Sequence, residues 1–339
     1  MAGPLWLAGM LAFGPVAAAA VPGAVTPASS TSSMSRTAID VGERLLCQFD
    51  TDPLDEVSGI TTSLQHDGIV WMTNDSGGGP YLYAVDSSDC SLRATLRLLD
   101  TPARDHEALA AGRDAQGRYV IWIGDIGDNL DSWPYVRIHK VVEPKQLHDA
   151  DVPVTTYRFT YPGGAQNAEA LIAAPDREAL WVVTKGDGGG HVFALPAPMD
   201  ASRTPMRAVK LGPARAMVTD AAMAPDGQRY VVRDYLSAEV FTGDPIGQPQ
   251  ARFRLPIQPQ GEAITWTRDS RSLIVASEGS GDLIEVTVPD TALGSDEGIA
   301  SVLPRVAGFD IYPYVRTVAF VLAGLLALVL LVRVTRRRS

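Results

Sequence analysis

From about residue 57 to 288 the chain alternates short apolar runs with turns rich in Gly, Asp, Asn and Pro. Short runs rich in Val, Ile, Trp and Tyr, bounded by such turns, predict strands rather than helices. One phrase recurs, a polar residue set among small and aliphatic ones: Val57-Ser58-Gly59-Ile60, His106-Glu107-Ala108-Leu109, Ala168-Glu169-Ala170-Leu171, Thr219-Asp220-Ala221-Ala222 and Gly261-Glu262-Ala263-Ile264. A second run follows each copy, at 69–73, 120–124, 180–184, 230–233 and 273–277, and closes on Asn74, Asp125, Lys185, Asp234 or Glu278. The two polar positions lie 16, 18, 16, 14 and 16 residues apart, regular enough for a repeat and loose enough for hairpin turns of different length. Third runs occupy 81–85, 136–140, 191–195, 238–241 and 282–286, and fourth runs 92–98, 155–160, 206–211 and 251–255. The fifth copy has no fourth run.

Four short antiparallel strands repeated every 42 to 62 residues predict an all-β protein, a five-bladed β-propeller in which each blade buries its faces against its neighbours. The run at 44–49 is a spare strand, and placing it as the outer strand of the last blade closes the ring. A six-bladed ring is the alternative, if the 62-residue interval between Glu107 and Glu169 holds two blades. Closure by the N-terminal strand puts Cys47 on the outer edge of blade five, beside Cys90 in blade one. These are the only two cysteines, and a disulfide between them is expected.

The ends suggest a compartment. Residues 1–20 hold an apolar run ending in four alanines, which reads as a signal peptide, with a retained N-terminal anchor as the alternative. Residues 21–40 are rich in Ser, Thr, Pro and Ala and read as a flexible linker to an ectodomain over 41–304. After a juxtamembrane segment at 305–314, the apolar stretch at 315–334 is long enough for one transmembrane helix. The tail at 335–339 carries Arg336, Arg337 and Arg338, which places it in the cytoplasm and the propeller outside.

With 29 Lys and Arg against 39 Asp and Glu, the net charge is −10, which excludes a nucleic-acid partner that needs clustered basic residues. In a propeller the two polar positions of each repeat meet at one mouth of the central channel. Those ten positions include seven carboxylates and one Lys, an excess that calls for a cation, and an oxygen-only donor set outside the cell favours calcium. The expected metal ligands are Glu107, Asp125, Asp128, Asn129, Asp220 and Asp234, with the turn from Asp125 to Asp131 the richest in oxygens. The bland reading of that turn is that its Asp and Asn side chains lock it by accepting backbone amides. Asn74, Asp75, Glu169, Lys185, Arg233, Tyr235, Glu262 and Glu278 are the candidate ligand-binding residues, although Lys185 could simply pair with Glu169. Glu107 and His106 are the candidate proton-transfer groups, His because its charge changes near neutral pH.

Other motifs carry less. Asn74-Asp75-Ser76-Gly77 has no general base placed for a Ser nucleophile, and the Gly-rich run after Lys185 reads as a hairpin turn rather than a phosphate cradle. On Asn74-Asp75-Ser76-Gly77, Asp105-His106-Glu107-Ala108-Leu109-Ala110, Gly124-Asp125-Ile126-Gly127-Asp128-Asn129 and Val142-Glu143-Pro144, the chain resembles secreted bacterial propellers of the esterase-like-phytase, SMP-30/gluconolactonase-like and YncE-like group. In lactonase-like members a channel metal held by Glu, Asn and Asp supports the reaction, and the resemblance implies such parts for Glu107, Asn74, Asp125 and Asp220. Two readings of function follow. One is a membrane-anchored extracellular propeller whose acidic rim binds calcium and an extracellular ligand or protein. The other is a metal-dependent hydrolase of lactonase or phosphoesterase type.

Overall fold

The computed structural model describes residues 42–294 apart from Thr51 and Ser76. The predicted signal peptide, linker, juxtamembrane segment, membrane span and tail lie outside the described residues. Among the described residues no helix is long and apolar enough to cross a membrane.

The chain opens with β1 (Glu43–Gln48). Blade one follows as β2 (Val57–Thr62), β3 (Ile69–Asn74), β4 (Tyr81–Asp86) and β5 (Leu92–Leu98). Blade two holds β6 (His106–Arg113), β7 (Tyr119–Asp125) and β8 (Val136–Val142), and, after β9 (Ala150–Val152), β10 (Thr155–Thr160). Blade three is β11 (Ala168–Ala173), β12 (Leu180–Thr184) and β13 (His191–Ala194), completed after β14 (Met206–Arg207) by β15 (Val209–Pro213). Blade four is β16 (Asp220–Met223), β17 (Arg229–Arg233), β18 (Ser237–Thr242) and β19 (Gln248–Arg254). Blade five is β20 (Gln260–Trp266), β21 (Ser272–Glu278) and β22 (Ser280–Thr287), followed by the short helix α1 (Asp290–Leu293).

Burial explains why these strands look as they do in the sequence. Inner strands are covered on both faces by neighbouring blades, so β2, β3 and β11 are buried at every position, and in β3 the stretch from Ile69 to Met72 reads as an unbroken apolar run. Outer strands have one face in water, and β5 and β19 alternate accordingly. The core is correspondingly divided into five apolar clusters, one at each junction between adjacent blades. Trp71, Trp122 and Trp266 are the largest side chains sealed in them.

Five sheets mean five blades, so the six-bladed alternative is excluded. The long interval between Glu107 and Glu169 holds an excursion instead. The segment between β8 and β10 reaches back to blade one, where β9 adds a parallel strand outside β5. Blade three repeats the device, because β14 pairs in parallel with β10 of blade two. This corrects the run at 206–211, which contains two strands of different blades: Met206 and Arg207 belong to blade two, and blade three's own outer strand begins at Val209.

Closure follows the sequence expectation. β1 pairs antiparallel with β22 as the outer strand of blade five, and Cys47 on β1 is bonded to Cys90, in the turn before β5 of blade one. The bond closes a separation of 43 residues.

Candidate functional site

The channel mouth is built by a register device. In β2, β6, β11 and β20 the ladder to the next strand skips one residue, and the skipped residues are Ser58, Glu107, Glu169 and Glu262. A bulge leaves its extra residue outside the alternation and re-aims its side chain. β16 has no skip: Asp220 pairs directly with Arg233.

Two residues before each bulged glutamate stands a second polar side chain. In blade three Asn167 Nδ2 donates to Glu169 Oε1 at 3.1 Å, and in blade five Gln260 Nε2 donates to Glu262 Oε1 at 2.9 Å. Blade two has Asp105 there, a carboxylate where the other blades have an amide donor. Carboxylate oxygens of Asp105, Glu107 and Asp75, the last from the turn after β3, lie within 4.8 Å of one another. Asp105 and Glu107 are buried, and Asp75 is half-buried. Ser58 Oγ donates to Glu107 Oε2 at 3.0 Å. Burial, then the charges of Glu169 and Asp75, push Glu107 up to about 10. Burial and a hydrogen bond shared with Asp75 push Asp105 up to about 8. Gly127 makes the packing possible, since a Cβ there would stand 2.2 Å from Glu107 Oε1 and 2.6 Å from Asp105 Oδ2.

Such a set fits a hard divalent cation. All donors are oxygens, and oxygens sharing one ion at 2.3–2.6 Å lie within about 5 Å of one another. Nearby Asn74 adds a buried Oδ1 that has no hydrogen-bond donor, its Nδ2 being given to Pro53 O at 2.6 Å.

No protein-family model matches the chain, and no curated protein matches it. Among solved structures, the chain is similar to a gluconolactonase from Xanthomonas campestris described as important in glucose secondary metabolic pathways. Identity is 13% over 69% of this chain and 72% of that one, with a TM-score of 0.39.

The opposite side of the mouth is better compensated. Lys185 Nζ lies 3.2 Å from Glu169 Oε1 and 3.0 Å from Tyr235 Oη. Burial works against its charge, but Glu169 and Tyr235 keep the Lys185 pKa above its usual value. Burial raises Glu169 as well, with Lys185 and Asn167 opposing it. Glu262 has only the Gln260 amide, and burial with the charges of Glu169 and Glu278 pushes it up to about 7. Gln260 Nε2 also reaches Glu278.

The remaining expected ligands stand elsewhere. Asp125 lies inside blade two, where its Oδ1 accepts the amides of Asp105 at 2.8 Å and Arg104 at 3.2 Å and its Oδ2 faces Arg137 at 3.0 Å and His139 at 3.6 Å. Burial opposes its charge, but the histidines and these donors hold it at about 2. Asp128 accepts the amides of Ser132 and Trp133, Asp131 accepts that of Asn167, and Asn129 Oδ1 accepts Asn167 Nδ2. The oxygen-rich turn thus locks itself, as its bland reading had it. Asp220, unbulged and fully enclosed, accepts the amides of Ala221 and Ile264, and burial raises its pKa well above the usual range. Arg233 lies against Gly261, donates to Ala263 O at 2.8 Å and is brought down to about 10 by burial. Asp234 caps its own turn through the amides of Leu236 and Ser237 and pairs with Arg215 and Arg252. His106 is enclosed within the blade, its Nδ1 3.5 Å from Thr73 Oγ1, and burial with neighbouring His139 brings it down to about 4, which leaves it neutral at pH 7. Sequence reasoning missed Asp105 as a member of the carboxylate cluster and Asn167 and Gln260 as partners of the glutamates. The available signal was the polar residue two places before each of the three glutamates.

Proposed function

We propose that this protein binds a divalent cation, calcium, through Asp75, Asp105 and Glu107, and that the ion holds an oxygen-bearing ligand at the channel mouth. The observation that carries this reading is Asp105: where two other blades satisfy their glutamate with an amide, blade two sets a second carboxylate, and no Lys or Arg pairs with either in the described residues. The disulfide supports an oxidising compartment such as the cell exterior, where calcium is abundant.

A second reading adds hydrolysis of a lactone or phosphoester. It is favoured by Glu262, which changes charge near pH 7 in the same mouth and could pass a proton to or from water or a leaving group. A bound cation would supply polarisation of the substrate oxygen, Lys185 a positive charge opposite it, and Tyr235 a fixed position for Lys185. Thermal melts of the EDTA-treated protein with added calcium, magnesium or manganese test the cation. Calcium at a hundred times its Kd should add about 2.7 kcal/mol, a rise of roughly 5–10 °C. No rise with any of the three ions would remove the proposal, and turnover of lactones or phosphoesters that Glu262→Gln abolishes would favour the second reading.

A further inference from the structure

Outward from the Asp128 turn lies a pocket of about 230 Å³ that the mouth does not use, lined by Asp128, Trp133, Tyr135, Phe159, Tyr161 and Gly164 among others. Its size is below the usual ~300 Å³ minimum of drug-sized sites and suits a single ring. Tyr161 is 7% exposed, and its Oη is buried with no hydrogen-bond partner. Burial, then the nearby Asp128 carboxylate, raises the phenol's pKa, so Tyr161 remains a donor at neutral pH. Asp128, also buried, accepts the Ser132 amide and hydroxyl on Oδ1 and the Trp133 amide on Oδ2, which leaves a lone pair on Oδ2.

The pocket therefore sets a donor lacking an acceptor near an acceptor with capacity to spare. A hydroxyl both accepts from the one and donates to the other. An ammonium ion has no lone pair for Tyr161, and a carboxylate would meet Asp128. Cations are further disfavoured because the aromatic walls already carry them: the Arg104 guanidinium sits 3.4 Å from the centre of a Trp133 ring, and Arg137 and Arg158 lie 5.5 and 5.7 Å from that of Tyr135. Arg104 does not line the pocket, so part of the indole is left to face a ligand. Aromatic walls with hydroxyl-matching polar groups at the base suit a ring with apolar C–H faces and hydroxyl edges.

The geometry points to a second binding site, independent of the channel mouth, that takes one six-membered sugar ring between Trp133, Tyr161 and Asp128. The test titrates D-glucose, D-galactose, D-mannose and N-acetylglucosamine into the EDTA-treated protein, by calorimetry and tryptophan emission. Among the described tryptophans Trp133 alone is not buried, so its emission reports the pocket. At least one sugar should bind with a millimolar Kd and change that emission. Tyr161→Phe, which keeps the ring, should weaken binding about 3- to 10-fold, the worth of one net hydrogen bond, and Trp133→Ala should abolish it. The inference is overturned if no sugar binds by about 50 mM, some 6 kcal/mol weaker than micromolar, or if folded Tyr161→Phe binds as the wild type does. Binding that requires calcium, or that Asp105→Asn removes, would place the sugar at the mouth and overturn it equally.

Discussion

Asp105 differs from Asn167 by an oxygen in place of a nitrogen, and that exchange turns a satisfied glutamate into a cluster of carboxyl groups. Asp105→Asn should therefore stabilise the cation-free protein while erasing its response to calcium, two effects of opposite sign read in one pair of melting curves. A lost response without the gain would mean that Asp105 serves the fold rather than the ion. The same charges set a pH dependence. Asp105 and Glu107 keep protons up to about 8 and about 10 in the folded chain, whereas the unfolded chain gives them up near 4. Between those limits the folded state binds more protons, so stability falls as pH rises. In EDTA the melting temperature should decline from pH 5 to pH 8, and saturating calcium, which displaces the protons, should flatten the decline.

At the scale of strands, most of the fold was legible because a strand sealed between two blades is mostly apolar, and runs such as those in β3 and β7 could be read directly. The outer strand of blade three was not, since β14 and β15 are nearly contiguous in sequence and part company only in their pairing. The bulges were illegible for a related reason: a bulge is a relation between two strands. Asp220 fills the same place in its phrase as Glu107, and only the missing skip in β16 sends it into the interior. What one turn does for another is tested at Gly127. Gly127→Ala must push Glu107 or Asp105 aside, and calcium affinity should fall by at least tenfold with the far-ultraviolet circular dichroism unchanged; unaltered affinity would show that the ligands lie elsewhere.

The molecule as a whole is a ring of five mutually supporting interfaces rather than a body with one centre. Its net charge of −10 is only partly gathered at the mouth, because Asp125 and Asp234, two of the carboxylates expected there, are paired with arginines instead. The joint between blades five and one carries the disulfide, which the chain-entropy model values at about 4 kcal/mol for a loop of this length. Cys47→Ser with Cys90→Ser should lower the melting temperature by roughly 10 °C, and a change under about 2 °C would show that β1 closes the ring unaided. The back-reaching strands have a consequence of their own. β9 ties blade one to blade two, β14 ties two to three, and α1 lies against the cluster shared by four and five. Between three and four the described residues offer apolar packing around a groove of about 300 Å³, the Lys185–Tyr235 hydrogen bond and the pairs of Arg177 with Asp244 and of Arg215 with Asp234 and Glu239, but no shared strand. Among the described residues this joint alone is held by side chains without a crossing strand, helix or disulfide.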